Sequence, residues 1–261
     1  MSQTFRLAAT GDLHCRLEHH GRFREFVKAV NGEAEGLVIC GDLTDRGGVD
    51  EAKTLAEALS SLRVPCAAVL GNHDFESGQV GEVVRILREA NVQILDGDHA
   101  VFGRRLGIAG VKGFACGFGS GMLQAFGEPL IKAFVQESVN EALKLEAALA
   151  QLDTPAKVVV LHYSPIPETT YGEHEEIRPF LGTSRLAAPV DMFGAQAVFH
   201  GHAHHGALEG RTKGGVPVYN VALPLVRKLM DDRRFRLVDI TPPETAEEPV
   251  QPEQPSLPLV H

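Results

Sequence analysis

The chain has 261 residues, 44% hydrophobic and 23% charged, with a formal net charge of -9. That length accommodates one large α/β domain with a substantial buried core, and the composition argues against wholesale disorder and membrane spanning. The acidic balance leaves no basic footprint for extended nucleic-acid binding, and it repels anionic substrates unless something local reverses the sign.

Short apolar runs alternate with stretches of helical apolar spacing, the pattern of α/β architecture. In chain order the spacing predicts a strand over residues 5–10, a helix over 22–30, a strand over 37–40, a helix over 51–62, a strand over 66–70 and a helix over 80–90. A strand over 106–109 follows, then an irregular stretch over 113–127 with five glycines and Phe114, Phe118 and Phe126 as anchors. A long amphipathic helix is expected over 131–151, with Phe134, Val135, Val139, Leu143, Leu145 and Leu149 as its apolar residues. A strand over 158–161 leads into a second long connection, 163–189, and strands over 197–199, 216–220 and 235–240 complete the series. Loops of this length are either binding loops and lids or irregular packing. Residues 241–261 are rich in Pro and Glu and read as a disordered tail, which sets the domain at 1–240. No secretory signal is visible, so a cytoplasmic location is the default expectation. Cys15, Cys40, Cys66 and Cys116 lack C-x-x-C spacing and are expected to be free core thiols.

Polar residues sit where the apolar runs end. Gly11-Asp12-Leu13-His14 follows the first strand, Gly41-Asp42-Leu43-Thr44-Asp45-Arg46-Gly47 the second, and Gly71-Asn72-His73-Asp74 the third. His162 follows the run over 158–161, and Gly201-His202-Ala203-His204 the run over 197–200. Open α/β sheets collect ligands at the carboxyl ends of their strands, and here five chain segments deliver metal-competent side chains to that edge. Singly, each motif has a plain alternative: a solvated Asp-x-His turn, an Asn-capped turn, a hydrogen-bonded buried histidine. His202 and His204 are stronger as a pair, because alternate residues of an extended segment point the same way.

The ordered set GDLH, GDLTDRG, GNHD, His162 and GHAH resembles the full signature of the calcineurin-like metallophosphoesterases, running from Asp12 to His204 with no motif missing. The resemblance implies an α/β fold of two mixed β-sheets packed face to face and flanked by helices, in four layers. It implies one metal held by Asp12, His14, Asp42 and His204 and a second by Asp42, Asn72, His162 and His202, with Asp42 bridging. His73 lies outside the metal shell, facing the substrate. By the same resemblance Asp45 orients the His73 imidazole; the alternative is a helix-capping aspartate. Arg46 either forks onto a phosphate oxygen or is solvated. Asn72 serves as ligand and as phosphate contact.

A donor set of imidazole and oxygen without thiolate suits manganese, iron or zinc better than calcium or magnesium. Two divalent ions bring about four positive charges and two carboxylates remove about two, so a local surplus of roughly +2 attracts phosphate in an otherwise acidic protein. Two such ions activate a water and clamp the phosphoryl oxygens, while His73 supplies a proton to the leaving oxygen. The expected activity is hydrolysis of a small phosphodiester or phosphomonoester, cyclic nucleotides among the candidates, with a small phosphorylated substrate as partner and no membrane association.

Two alternatives stand beside this. A nuclease needs a basic cleft, for which the chain offers Arg16, Arg22, Arg24 and the later Arg227, Lys228, Arg233 and Arg234. A silent protein-binding scaffold is free to lose ligands, yet all seven ligand positions and His73 keep competent side chains. Among the other histidines, His19 and His20 suit a cleft rim, His174 a substrate lid, and His200 and His205 support of their neighbours, each with an ordinary packing role as the alternative. His99 and His261 suggest nothing.

Overall fold

In the computed structural model residues 4–242 are described. The expected tail therefore lies outside the described residues from position 243 onward. Strands β1 (Phe5–Thr10), β2 (Gly36–Cys40), β3 (Cys66–Val69) and β4 (Val92–Leu95) run parallel, with β11 (Arg236–Ile240) antiparallel beside β1. The second sheet orders β5 (Asp98–Phe102), β6 (Leu106–Val111), β7 (Ala156–Leu161), β8 (Ala197–His200), β10 (Pro217–Asn220) and β9 (Glu209–Arg211) from edge to edge. Its inner four strands are parallel and both edge strands antiparallel.

Period-2 alternation assigns each strand's side chains to two different cores. Phe5, Leu7 and Ala9 of β1 and Val38 and Cys40 of β2 face the second sheet, where they meet Phe102, Ile108, Val158, Val160 and Phe199. Ala8, Leu37 and Ile39 face the other way, onto helices α1 (Arg24–Glu33), α2 (Val49–Leu59) and α3 (Val80–Glu89). Val159 and Leu161 of β7 face α4 (Pro129–Ala150) and α5 (Ala187–Met192). The outcome is helices, sheet, sheet, helices: the two mixed sheets of a four-layer sandwich. Strands buried on both faces are apolar at nearly every position, which explains why they read as continuous runs rather than alternations. No helix of the described residues is long and apolar enough to cross a membrane.

Several expectations need correcting. Strands β4, β5 and β9 and helices α5 and α6 (Leu223–Leu229) were not anticipated: the strands VQIL, DHAVF and EGR mix polar with apolar residues, unlike the equally short apolar runs read as strands, and both helices are short and contain a proline. Phe114 does anchor its loop, with its ring 4.9 Å from that of Phe134, but Phe126 is 60% exposed and anchors nothing. On α4 the buried face is Val135, Ser138, Glu141, Leu145, Ala148 and Leu149, while Leu143 points to solvent. Glu141 is tolerated there because it accepts hydrogen bonds from Gly113 N at 2.7 Å and Lys144 Nζ at 2.9 Å. The connection over 163–189 is built largely of short 3-10 turns, tied back by Ser164 N to Leu181 O and Thr183 N to Ser164 O. All four cysteines are free and buried.

Candidate metal centre

Beyond their strands, the motif loops continue to pair with one another. Asp12 N donates to Gly41 O, His14 N to Asp42 O, Cys15 N to Leu43 O and Asp45 N to Cys15 O, a short ladder joining the first two motifs. The fourth and fifth motifs join through Gly201 N to His162 O, and the first and fifth through His202 N, which donates to the Asp12 carboxylate at 3.0 and 3.1 Å. Asp74, the last residue of the third motif, braces the second: its buried carboxylate accepts from Gly71 N (2.8 Å), Leu43 N (3.2 Å), Thr44 N (2.8 Å) and Thr44 Oγ1 (2.6 Å). Asp74 was not singled out in the sequence; a buried Asp amid main-chain donors has no signature there.

Glycines precede the ligands for a steric reason. A Cβ on Gly71 would collide with the Asp42 carboxylate, and one on Gly201 with the Asp12 carboxylate, so each loop's glycine makes room for its neighbour's ligand. Four of the candidate ligands are themselves turned: Asp12 (φ 55), His14 (φ 41), Asp42 (φ 48) and His202 (φ 69) adopt left-handed backbone. Such strain, of order 1–3 kcal/mol per residue, persists where surrounding structure holds it and gathers at functional sites.

Three overlapping clusters result, each with donor atoms within 4.8 Å of one another: Asp12, His14 and His204; His14, Asp42 and His73; Asp42, His162 and His202. The two Asp42 oxygens divide between them, Oδ2 lying 3.7 Å from His14 Nε2 and Oδ1 3.5 Å from His162 Nε2. Asn72 Oδ1 stands 2.9 Å from His162 Nε2, and Asp12 Oδ1 2.9 Å from His204 Nε2. The fold thus brings all seven proposed ligands to one place.

The residues fit divalent ions on two counts. Both ring nitrogens of His14 are buried without a hydrogen-bond partner, because the nearest carboxylate oxygens, at 3.6 and 3.7 Å, are too far. His162 Nδ1 contacts Cys40 O at 2.9 Å; donating there, it leaves Nε2 as a lone pair facing Asn72 Oδ1. Burial lowers the pKa of His14 and takes that of His202 to about 3, with His162 adding to the latter shift, so both rings are neutral and ready to ligate at pH 7. Burial works to raise Asp12, but the His204 hydrogen bond and the neighbouring imidazoles outweigh it and hold the carboxyl at about 2. His204 is opposed by burial and raised by its bond to Asp12.

His73 stands beside the candidate ligands and shares one cluster with His14 and Asp42, its ring centroid 4.6 Å from that of His14. Its Nδ1 meets the main-chain carbonyl of Asp45 at 2.7 Å. The Asp45 side chain goes elsewhere, Oδ1 to 3.6 Å from His14 Nδ1 and Oδ2 to 3.0 Å from Arg16 Nε. Asp45 therefore orients His73 through its backbone, and its carboxylate backs His14. It does not cap α2 either, whose N-cap is Gly48 with Glu51 reaching back to it. Arg46 has an exposed side chain without a polar partner among the described residues; only its main-chain N is engaged, by Glu51. Of the remaining histidines, His200 is buried between Gly201 O and Thr169 Oγ1, His20 and His174 pair with Glu57 and Glu176 at the surface, and His205 is exposed. Close by, Lys112 Nζ lies over the rings of Phe75, Phe114 and Tyr163, the last with its centroid 4.5 Å from that of the His202 ring and tilted to it by 52°.

This fold and this cluster define a metal-dependent phosphoesterase. The chain belongs to the calcineurin-like phosphoesterase family, whose model matches residues 5–206. Among solved structures it is similar to phosphopantetheinyl hydrolase from Mycobacterium tuberculosis, with TM-score 0.66 and 18% identity over 91% of this chain and 97% of that one. It also resembles a protein of Thermus thermophilus (TM-score 0.53, 15% identity, 91% and 99% covered) and the anchor in the inner membrane complex of Plasmodium (0.50, 13%, 85% and 72%). No curated protein sequence matches the chain.

Proposed function

We propose that the protein hydrolyses a small phosphodiester or phosphomonoester at this centre, with two ions of manganese, iron or zinc held by Asp12, His14, Asp42 and His204 and by Asp42, Asn72, His162 and His202. The observation that carries the reading is the division of the Asp42 carboxylate between two clusters, with His73 beside them. Ions bound there supply Lewis acidity toward a phosphoryl oxygen and an activated water. The chain does the rest. His73 has its Nδ1 engaged by the Asp45 carbonyl, so Nε2 is the atom that meets the leaving oxygen. Burial opposes protonation of that ring, but the Asp45 carbonyl and the charges of Asp42, Glu76 and Asp45 raise its pKa and keep a proton there to deliver. Asn72 turns its oxygen toward His162, which leaves its amide N–H groups for a phosphoryl oxygen. The Asp45 carboxylate, held by Arg16 and 3.6 Å from His14 Nδ1, is the group proposed to close on that nitrogen when the ring ligates through Nε2. Arg46, at the exposed entry to α2, is the proposed contact for a more distant part of the substrate.

The net charge of -9 favours a small substrate over a polynucleotide. Cyclic nucleotides remain candidates, and the similarity in fold to phosphopantetheinyl hydrolase adds phosphopantetheinyl conjugates. After manganese loading, the panel is bis(4-nitrophenyl) phosphate, 4-nitrophenyl phosphate, 3',5'-cyclic AMP and a phosphopantetheinyl conjugate, each against an Asp42→Asn control. Turnover of at least one above the control is expected; none above it overturns the proposal.

A further inference from the structure

The two arginine groups that stand about two hundred residues apart in the chain meet in space. Arg22 follows the short turn Leu17–His19, Arg227 lies in the last turn of α6 and Arg234 stands two residues before β11, and all three line one cavity of about 100 Å³ together with His19, Leu13 and Phe23. Carboxylates do not balance them. Arg227 pairs with Asp232 at 2.6 Å. Arg22 Nη1 donates to His19 Nε2 at 2.9 Å, and because arginine only donates, that nitrogen is an unprotonated acceptor. Arg234 Nη1 donates to the Arg22 carbonyl at 3.1 Å. Among the described residues, neither Arg22 nor Arg234 has an acidic partner. Three guanidiniums against one carboxylate leave a surplus of about two positive charges, on a chain whose overall charge is -9.

Like charges held together repel; Arg22 and Arg227 are exposed and partly screened by water, while Arg234 is half-buried, with Leu13 and Phe23 as apolar wall. An anion between them would relieve that repulsion, and the planar guanidinium fork matches the oxygens of a phosphate. The cavity also adjoins the metal centre through one stretch of chain: Asp12 and His14 belong to the centre, and Leu13 between them lines the cavity. We propose that Arg22, Arg227 and Arg234 form a phosphate-binding subsite, distinct from the metal ligands, that takes either a second phosphate group of the substrate or free inorganic phosphate.

The test is titration of the manganese-loaded full chain with inorganic phosphate by calorimetry, comparing parent, Arg22→Gln/Arg234→Gln and Asp42→Asn. The parent is expected to bind two equivalents; the arginine variant weakens one of them about ten-fold or more, and Asp42→Asn weakens the other. Arg227→Gln is the substitute should the double variant fail to fold. A second arm compares KM for a substrate carrying an additional phosphate with KM for bis(4-nitrophenyl) phosphate. A ratio that rises about ten-fold in the arginine variant assigns the subsite to substrate, and an unchanged ratio with the binding loss assigns it to free phosphate. Phosphate binding by the arginine variant that is indistinguishable from the parent overturns the proposal. Only the KM arm rests on the phosphoesterase reading, so absence of turnover with binding loss intact counts against that reading and not against the subsite.

Discussion

Replacing Asp74 by Asn keeps the side chain's shape and removes half of what it does. In the native protein Oδ2 accepts from Gly71 N and Leu43 N, and Oδ1 from Thr44 N and Thr44 Oγ1, all in a fully buried setting. An asparagine offers one oxygen. Its amide nitrogen then faces either two main-chain N–H groups or one N–H and a hydroxyl, and only the hydroxyl can turn to accept. At least one buried N–H is stranded, at about 1–3 kcal/mol, and the surviving bonds lose their charge assistance. Burial raises the Asp74 pKa, so removing the charge returns part of this. The net expectation is a loss of about 2–4 kcal/mol. Urea unfolding in the presence of a chelator measures it free of any metal contribution. A change below about 0.5 kcal/mol would show that the acceptors are dispensable and refute the bracing role.

His73→Asn is expected to retain the parent's metal content while kcat falls about 10²- to 10⁴-fold, checked by steady-state kinetics with elemental analysis of the same samples; a fall in bound metal would instead make His73 a ligand. His200 is buried and its pKa is depressed to about 4, chiefly by burial, so below 6.5 the unfolded chain takes up a proton that the native state refuses. In chelated protein the stability advantage of the parent over His200→Gln should narrow as pH falls from 6.5 toward 4, by up to ~1.4 kcal/mol per unit; a constant difference contradicts this. Burial takes the Cys15 and Cys66 thiols to about 12 and Cys40 well above its ordinary value, so a thiol reagent at pH 8 should label these three only after unfolding, as read by mass spectrometry.

What could be read ahead of the structure follows from where each signal is stored. β1 was predicted to the residue, because Phe5–Thr10 is apolar at every position but Arg6 and Thr10 and is closed by Gly11. The convergence of the seven proposed ligand positions was legible because each is a distinctive side chain just beyond an apolar strand, whereas the steric role of Gly71 and Gly201 shows only in the structure. The partner of the His73 imidazole was not: it is a main-chain carbonyl, which every residue possesses. Likewise β4 and β5, VQIL and DHAVF, interrupt their apolar residues with polar ones and so lack the continuous run that marked the other short strands. The convergence of Arg22 with Arg227 and Arg234 is wholly tertiary, produced by β11 returning alongside β1.

Asp42 is the one residue proposed to hold two ions at once. Equilibrium dialysis of the chelated full chain against manganese should return two equivalents per chain for the parent and fewer than two for Asp42→Ala. A parent that binds fewer than two, or a variant that still binds both with parental affinity, contradicts it.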